Sequence, residues 1–329
     1  MSSVKTPDFK ISWNGKATDD LKGQVAKIVF EDYEHGRADN VEITFQDAKK
    51  VWAGDWYPVR GDSLKLELGY KGEALLDAGE FEIDEIVLNY PPNTLTVKAR
   101  SAFPSRAFSQ ENTHAYEDTS LSAILRLIAG HHSLTSDFSG EDVKFKISVQ
   151  KRESDTAYLK RLAERYGFIF KITDKKMILY ERKSIEKRAA VATLKAGTNH
   201  RLSLRETSTG EAKKTKTVWW DWWEEKILES TETSNEKPVS TDERRIYDRV
   251  EDAGQSKRIA EAARQASDYK RVVDTIYARD KQNLLMAGVT IKLQEFKEFD
   301  GLYFVEAARH VMTGTAHYET ELKVKRVQK

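Results

Sequence analysis

Apolar and polar positions alternate with a period of two through much of the first hundred residues. Val41, Ile43 and Phe45 alternate with Glu42, Thr44 and Gln46. Leu64, Leu66, Leu68 and Tyr70 alternate with Lys65, Glu67 and Gly69. Phe81 and Ile83, then Ile86 and Leu88, repeat the pattern with a slip of one residue, as a β-bulge would produce. Asn89-Tyr90-Pro91-Pro92-Asn93 reads as a turn before the strand of Leu95, Val97 and Ala99. Alternation on one side only predicts an antiparallel sheet with one wet face.

The pattern shifts near Ala102. Residues 103–118 read as irregular. Ser120 to Ala129 reads as a helix, with Leu121, Ile124, Leu125 and Ile128 on one face and Gly130 as its stop. Val143 to Val149 reads as a strand. The next segment punctuates itself. Ser154 or Asp155 supplies an oxygen for a helix N-cap. Leu159, Leu162, Ala163 and Tyr166 share one helical face, and Gly167 follows as a left-handed stop. Phe168, Phe170 and Ile172 then alternate with Ile169 and Lys171, so the period changes from helix to strand. Thr173-Asp174-Lys175-Lys176 is a turn, and Met177 to Glu181 the returning strand.

After a basic and polar stretch at 186–210, alternation returns from Thr215. Ser230 to Asp242 is a polar loop, and a helix is predicted at about 256–267 with Ile259, Ala262, Ala263 and Ala266 inward. Strands follow at 271–279, 289–294, 302–307 and 318–326. One local pattern occurs twice. Gly61-Asp62-Ser63-Leu64-Lys65-Leu66 and Gly288-Val289-Thr290-Ile291-Lys292-Leu293 are both G-x-x-[LI]-K-L. Each is followed by a glycine-led aromatic strand, Gly79-Glu80-Phe81-Glu82-Ile83 or Gly301-Leu302-Tyr303-Phe304-Val305, and then by a final alternating strand. We read this as a degenerate internal duplication of a β-barrel unit, although glycine before an alternating strand also arises by chance.

The segment Glu153 to Phe168, E-S-D-x-x-[YF]-L-x-R-L-A-E-x-x-G-F, resembles the phage late control protein D family, the hub of contractile tail baseplates. It is similar also to the N-terminal hub part of VgrG from type VI secretion. The resemblance is specific at 150–172 and looser at 285–326, where 301–310 matches the family's last barrel strands. Over residues 1–100 it rests on the strand pattern alone. It implies an α+β, mainly β fold: two tail-tube-like antiparallel β-barrels with a small α/β module between them. The corresponding divisions are residues 1–102, 103–185 and 186–329. The family's fold implies three chains presenting six similar barrels, so that a hexameric tube stacks above and a trimeric spike hangs below. The expected partners are therefore a homotrimer of this chain, a tail-spike protein, a tail tube or tube-adaptor protein and baseplate wedge proteins. VgrG carries a β-helical spike extension after its hub; this chain stops at Lys329 without one, so the spike is expected to be a separate polypeptide. The expected location is the baseplate of a virion tail or tail-like particle assembled in a bacterial cytoplasm.

Totals narrow the remaining possibilities. The 329 residues suffice for two or three domains. The 54 basic and 53 acidic residues nearly cancel, so no strong field points to nucleic acid or an anionic membrane. There is no cysteine, which excludes disulfides, thiolate metal sites and a cysteine nucleophile. No apolar run is long enough to anchor the chain in a membrane. No nucleotide-binding, hydrolase-elbow or zinc-protease motif is present, and no catalytic residue, cofactor or metal is expected.

The most conspicuous candidate site is Val218-Trp219-Trp220-Asp221-Trp222-Trp223-Glu224. On a strand, Trp220 and Trp222 share one face while Trp219 and Trp223 share the other. Indoles on both faces suit a protein interface, where tryptophan is enriched. Packing in the barrel and beneath the 230–242 loop is the plainer alternative, and a carbohydrate platform a third. His131-His132 are expected to be exposed or capping, and His310 and His317 to be packing or surface residues. Carboxylate pairs such as Glu31-Asp32, Asp84-Glu85 and Glu224-Glu225 are too common for any one to be informative. A peptidoglycan hydrolase or a carbohydrate-binding tail module is the rival to a structural hub.

Overall fold

The computed structural model describes residues 5–17, 19–101, 108, 110–173, 176–186, 188–197, 201–207, 212–221, 225–234, 241–268, 272–279 and 285–327. The first part of the chain forms β1 (Pro7–Trp13), β2 (Lys16–Ala17), β3 (Val25–Tyr33), β4 (Asn40–Gln46), β5 (Ser63–Tyr70), β6 (Leu76–Asn89) and β7 (Thr94–Ser101). The middle contains β8 (Glu111–Ser120), α1 (Leu121–His131), β9 (Thr135–Ser139), β10 (Lys144–Ser154), α2 (Asp155–Tyr166), β11 (Phe168–Thr173), β12 (Lys176–Glu181) and α3 (Arg182–Glu186). The last part adds β13 (Ala192–Lys195), β14 (Arg201–Glu206), β15 (Lys214–Asp221), β16 (Lys226–Thr233) and β17 (Glu243–Ile246). It ends with α4 (Ala253–Asp268), β18 (Val272–Arg279), β19 (Thr290–Gln294), β20 (Gly301–Thr313) and β21 (His317–Arg326). The fold is mainly β, as expected.

Among the described residues, one sheet of thirteen strands runs through both ends of the chain, and its two halves meet where β3 pairs with β20. The halves repeat one another. In the first the order is β3-β4-β7-β6-β5-β1; in the second it is β14-β18-β21-β20-β19-β13. The bulge expected after Ile83 falls at Asp84, where the β6–β7 register shifts, and β20–β21 shifts at Glu306 in the same position. Gly61 N donates to Ile83 O at 2.9 Å while Ile83 N donates to Asp62 O at 3.0 Å. The second half repeats both bonds: Gly288 N to Val305 O at 2.8 Å and Val305 N to Val289 O at 2.9 Å. Gly61 and Gly288 have φ of +94° and +85°, a region where a Cβ is strained, which is why the repeated motif opens on glycine. The halves differ at one edge, where β1 is antiparallel to β5 but β13 runs parallel to β19.

Each half packs the inward positions of its alternating strands. The first core includes Val41, Ile43, Phe45, Leu64, Leu66, Leu68, Phe81 and Val97, none more than 1% exposed. At ~25 cal/mol per Å² of apolar surface removed from water, such burial is the main force holding the sheet curled. The second core is smaller, built on Leu194, Ile276, Ile291, Leu293, Tyr303, Val305 and Leu322.

The middle part has a core of its own. Leu121, Ile124, Leu125 and Ile128 of α1 meet Tyr158, Leu159, Leu162, Ala163 and Tyr166 of α2. Ser154 is the N-cap of α2, its Oγ accepting from Ala157 N at 3.2 Å, and Gly167 closes it at φ +76°. Ser154→Ala should therefore lower stability by about 1 kcal/mol in urea unfolding, since it orphans a helix donor. Later segments also join this core: Trp219, Leu228 and Ile246 of the β15–β17 sheet, and Val250 and Ile259 beside and on α4. The helix expected at 256–267 spans 253–268.

Three local expectations need correction. The stretch read as irregular at 103–118 contains strand β8 from Glu111, paired along β10. It was hidden because only Tyr116 of its ten residues is buried, so no apolar alternation marks it. Gly130 does not stop α1, which continues to a cap at His132. Nothing lies within 4 Å of a Cβ placed at Gly130, so its place in the last turn is open to solvent. The polar loop expected from Ser230 begins later, since β16 continues to Thr233.

Candidate assembly surfaces and the buried junction

The two candidate tryptophans that the structure describes fall on opposite faces of the β15–β16 hairpin. Trp219 lies opposite Leu228 and packs inward on the middle core. Trp220 lies opposite Ile227, and the two are 40% and 58% exposed. Trp222 and Trp223 lie outside the described residues. Of the two indoles that are placed, one is thus a packing residue and the other part of a surface patch.

The histidines resolve more sharply. His132 takes the cap of α1, but its ring is buried rather than exposed. Nε2 lies 2.8 Å from Asp155 Oδ2, and the ring stacks on Phe108 with centroids 4.0 Å apart. Gln150 and Asn112 donate to the other oxygen of Asp155 at 2.8 and 3.2 Å. Burial acts against the Asp155 charge, yet these donors hold its pKa below the ordinary value. His310 is a packing residue, fully buried and stacked on Phe30 with Nδ1 near the Tyr318 and Thr320 hydroxyls. Among the described residues, no group of three or more His, Asp or Glu side chains is placed to hold a metal ion.

A concavity of about 770 Å³ opens between the middle part and α4, with Glu141, Glu181, Asp252 and Glu261 among its lining. Three of its carboxylates face cations. Glu181 binds Arg258 at 2.9 Å, Glu261 pairs with Lys183, and Glu141 lies 3.6 Å from Arg258. Asp142 accepts from the Ser122 N–H and hydroxyl, and its pKa stands below the ordinary value. An acid catalyst needs a carboxyl held protonated near neutral pH. Here Asp142 is held in the opposite sense, and Glu181, Glu261 and Glu141 face cations.

The raised carboxyls lie elsewhere, in a buried junction that sequence reading passed over. Asp32, dismissed as half of a common Glu-Asp pair, is 0% exposed at the end of β3. Lys171 Nζ reaches its Oδ1 at 2.6 Å from β11, and Ala287 N donates to its Oδ2 at 2.7 Å from the approach to β19. One carboxylate thereby ties the first half of the sheet to the middle part and to the second half. Beside it, Gly36 N donates to Phe170 O, Phe170 N to His35 Nδ1, and Glu34 N to Glu306 O. Burial and the nearby Asp32 push Asp39 up to about 7 against the pull of Lys171. Burial lifts Glu34 to about 7 against Arg182, with Glu306 lifting it further. Burial and Arg182 lower His35 to about 4. Burial opposes the Lys171 charge, but Asp32 and Asp39 outweigh it and its pKa rises. This arrangement locks three segments together.

A duplicated sheet with an inserted α/β part is a fold shared with solved tail proteins, including a prophage one. The profile of the phage tail baseplate hub (GPD) family matches residues 86–316, and the chain belongs to that family. It is 31% identical over 168 residues to the probable baseplate hub protein of Escherichia phage P2 and 31% identical over 165 residues to that of phage 186. Those alignments cover 50% and 49% of this chain but only 43% and 41% of the relatives' lengths. Among solved structures, the 43 kDa tail protein of prophage MuSo2 from Shewanella oneidensis superposes with a TM-score of 0.74 at 13% identity, covering 97% of this chain and 98% of that one. A Neisseria meningitidis MC58 tail protein gives 0.73 at 11%, covering 97% and 96%. An Escherichia coli protein described as a component of the type VI secretion system gives 0.58 at 13%, covering 93% and 74%. These likenesses extend the shared fold over nearly the whole chain, including the first hundred residues, where sequence offered only a strand pattern.

Proposed function

We propose that this chain is the structural hub of a contractile phage tail or tail-derived injection device. It acts as a homotrimer, with no catalytic activity of its own. It joins a hexameric tube, or a tube adaptor, above to a trimeric spike protein below, and wedge proteins attach around it. The observation that carries this reading is the repeat within one chain: the same strand order, the same bulge and the same reciprocal glycine bonds. Three chains then offer six similar faces to a sixfold tube while keeping a threefold axis for the spike. The paired carboxylates of the polar concavity support a non-enzymatic role. The exposed Trp220–Ile227 pair suits contact with a neighbouring tail protein.

Light scattering tests the stoichiometry. The hub reading expects three copies of the 37.7 kDa chain per particle, either alone at high concentration or within a heavier complex with the spike protein of the same particle. A monomer under both conditions, or release of soluble fragments from peptidoglycan, would overturn it.

A further inference from the structure

The two halves of the sheet use one junction and, among the described residues, leave a second one open. Strand β20 pairs with β21 along one edge. On its other edge it pairs with β19 up to Phe304 and then, past the bulge at Glu306, with β3 from Ala307 to Met312. Its counterpart β6 pairs with β7 along one edge and with β5 up to Glu82. Past the bulge at Asp84, no strand among the described residues covers that edge. The counterpart of β3 is β14, which forms a ladder with β18 alone among the described residues. The chain therefore carries both partners of a second β20–β3-type junction, at opposite ends of its sheet.

We propose that β6 of one chain pairs antiparallel with β14 of the next, in the register that the internal junction dictates. The inference rests on the threefold-hub reading and deepens it by naming the subunit contact. The register follows from equivalence. Val305 lies opposite Val324 as Ile83 lies opposite Ala99, so His310 corresponds to Leu88. Ile28 reaches β7 through Ile43 and Val97, as Leu202 reaches β21 through Ile276 and Leu322, so Phe30 corresponds to Leu204. Within the chain His310 faces Phe30. Between chains Leu88 then faces Leu204, Asn89 faces Ser203, and Tyr90 faces Leu202.

Burial follows the same logic. His310 and Phe30 are both 0% exposed, sealed by their pairing. Leu88 and Tyr90 are 59% and 74% exposed, and Leu202 and Leu204 are only partly buried against the second core. An unpaired strand edge bearing exposed apolar side chains is a template for another chain. Here the complementary edge belongs to the same sequence, and the two strands are not paired with each other among the described residues. Head-to-tail pairing closes a ring when the rotation between copies closes, as a threefold axis requires.

The chain has no cysteine, so introduced thiols report this contact alone. Asn89→Cys/Ser203→Cys places both thiols at exposed positions directly opposite across the proposed seam, within disulfide reach. Mild oxidation of the trimer should convert most of the protein into covalent dimers and trimers on non-reducing gels. Each single variant, and the pair shifted by two residues, Asn89→Cys/Arg205→Cys, should give at least about ten-fold less. Mixing the two single variants should yield a dimer and nothing larger. A species that scatters as a trimer but gives no excess cross-link over the shifted pair overturns the seam and leaves the threefold hub intact. A monomer with and without the spike overturns both.

Discussion

Replacing Lys171 with methionine is expected to cost the fold about 3–5 kcal/mol, the usual penalty for leaving a buried charge without its partner. Asp32 is fully buried, and its Oδ1 depends on the Lys171 ammonium at 2.6 Å. Methionine keeps most of the apolar stem and removes the ammonium, with its charge and its donors to Asp32. The remaining donor, Ala287 N, serves the other oxygen. The loss should appear as a lower urea midpoint, and it should be accompanied by early proteolytic release of the middle part, because the same carboxylate links three segments. The double variant Asp32→Asn/Lys171→Met separates charge from packing. If the pair acts as described, removing both charges recovers much of the loss, and the cycle gives a coupling well beyond the few tenths expected of independent sites. A cost below about 1 kcal/mol for Lys171→Met, the value of an exposed ion pair, would show that the junction is wet and unimportant.

How much of this was legible in sequence depended on whether the signal was local. The α2 unit was, because cap, apolar face and stop all lie between Ser154 and Gly167. The bulge at Asp84 was legible because it shifts apolar parity from Phe81 and Ile83 to Ile86 and Leu88. The repeat was legible because a positive φ at Gly61 and Gly288 demands glycine. The join between halves was not, since β3 and β20 are far apart in the chain and pair through backbone groups that any residues supply. Asp32 was invisible for a related reason. In a chain with 53 acidic residues, a carboxylate declares itself only by what surrounds it, and Lys171 and Ala287 come from remote segments. The tryptophan run showed indoles pointing both ways, but only the packing of one face of the β15–β16 hairpin on the middle core distinguishes Trp219 from Trp220. The fold is therefore written in periodicity and glycine, while its locking chemistry is written in contacts.

Those contacts carry a cost that a second variant should expose. Glu34 is 3% exposed, and its Oε1 has no hydrogen-bond partner among the described residues. Its carboxyl rises from 4.5 to about 7 in the fold. Between those values the folded protein holds a proton that the unfolded chain has released. Stability from this group is thus fully present below pH 4.5 and is lost as pH climbs to about 7. At ~1.4 kcal/mol per unit the loss amounts to about 3 kcal/mol. Glu34→Gln keeps the shape and cannot ionise. It should match the wild type near pH 4.5 and exceed it by about 3 kcal/mol at pH 8, with the difference growing steadily between. Asp39, raised in the same direction, and His35, lowered to about 4 and so acting oppositely, remain in both proteins and cancel in the comparison. Urea unfolding at a series of pH values measures this difference. A flat difference curve would mean that Glu34 ionises freely in the native protein. A rising one would show that the junction is held below its optimum at neutral pH, so the hub tightens when the surroundings acidify.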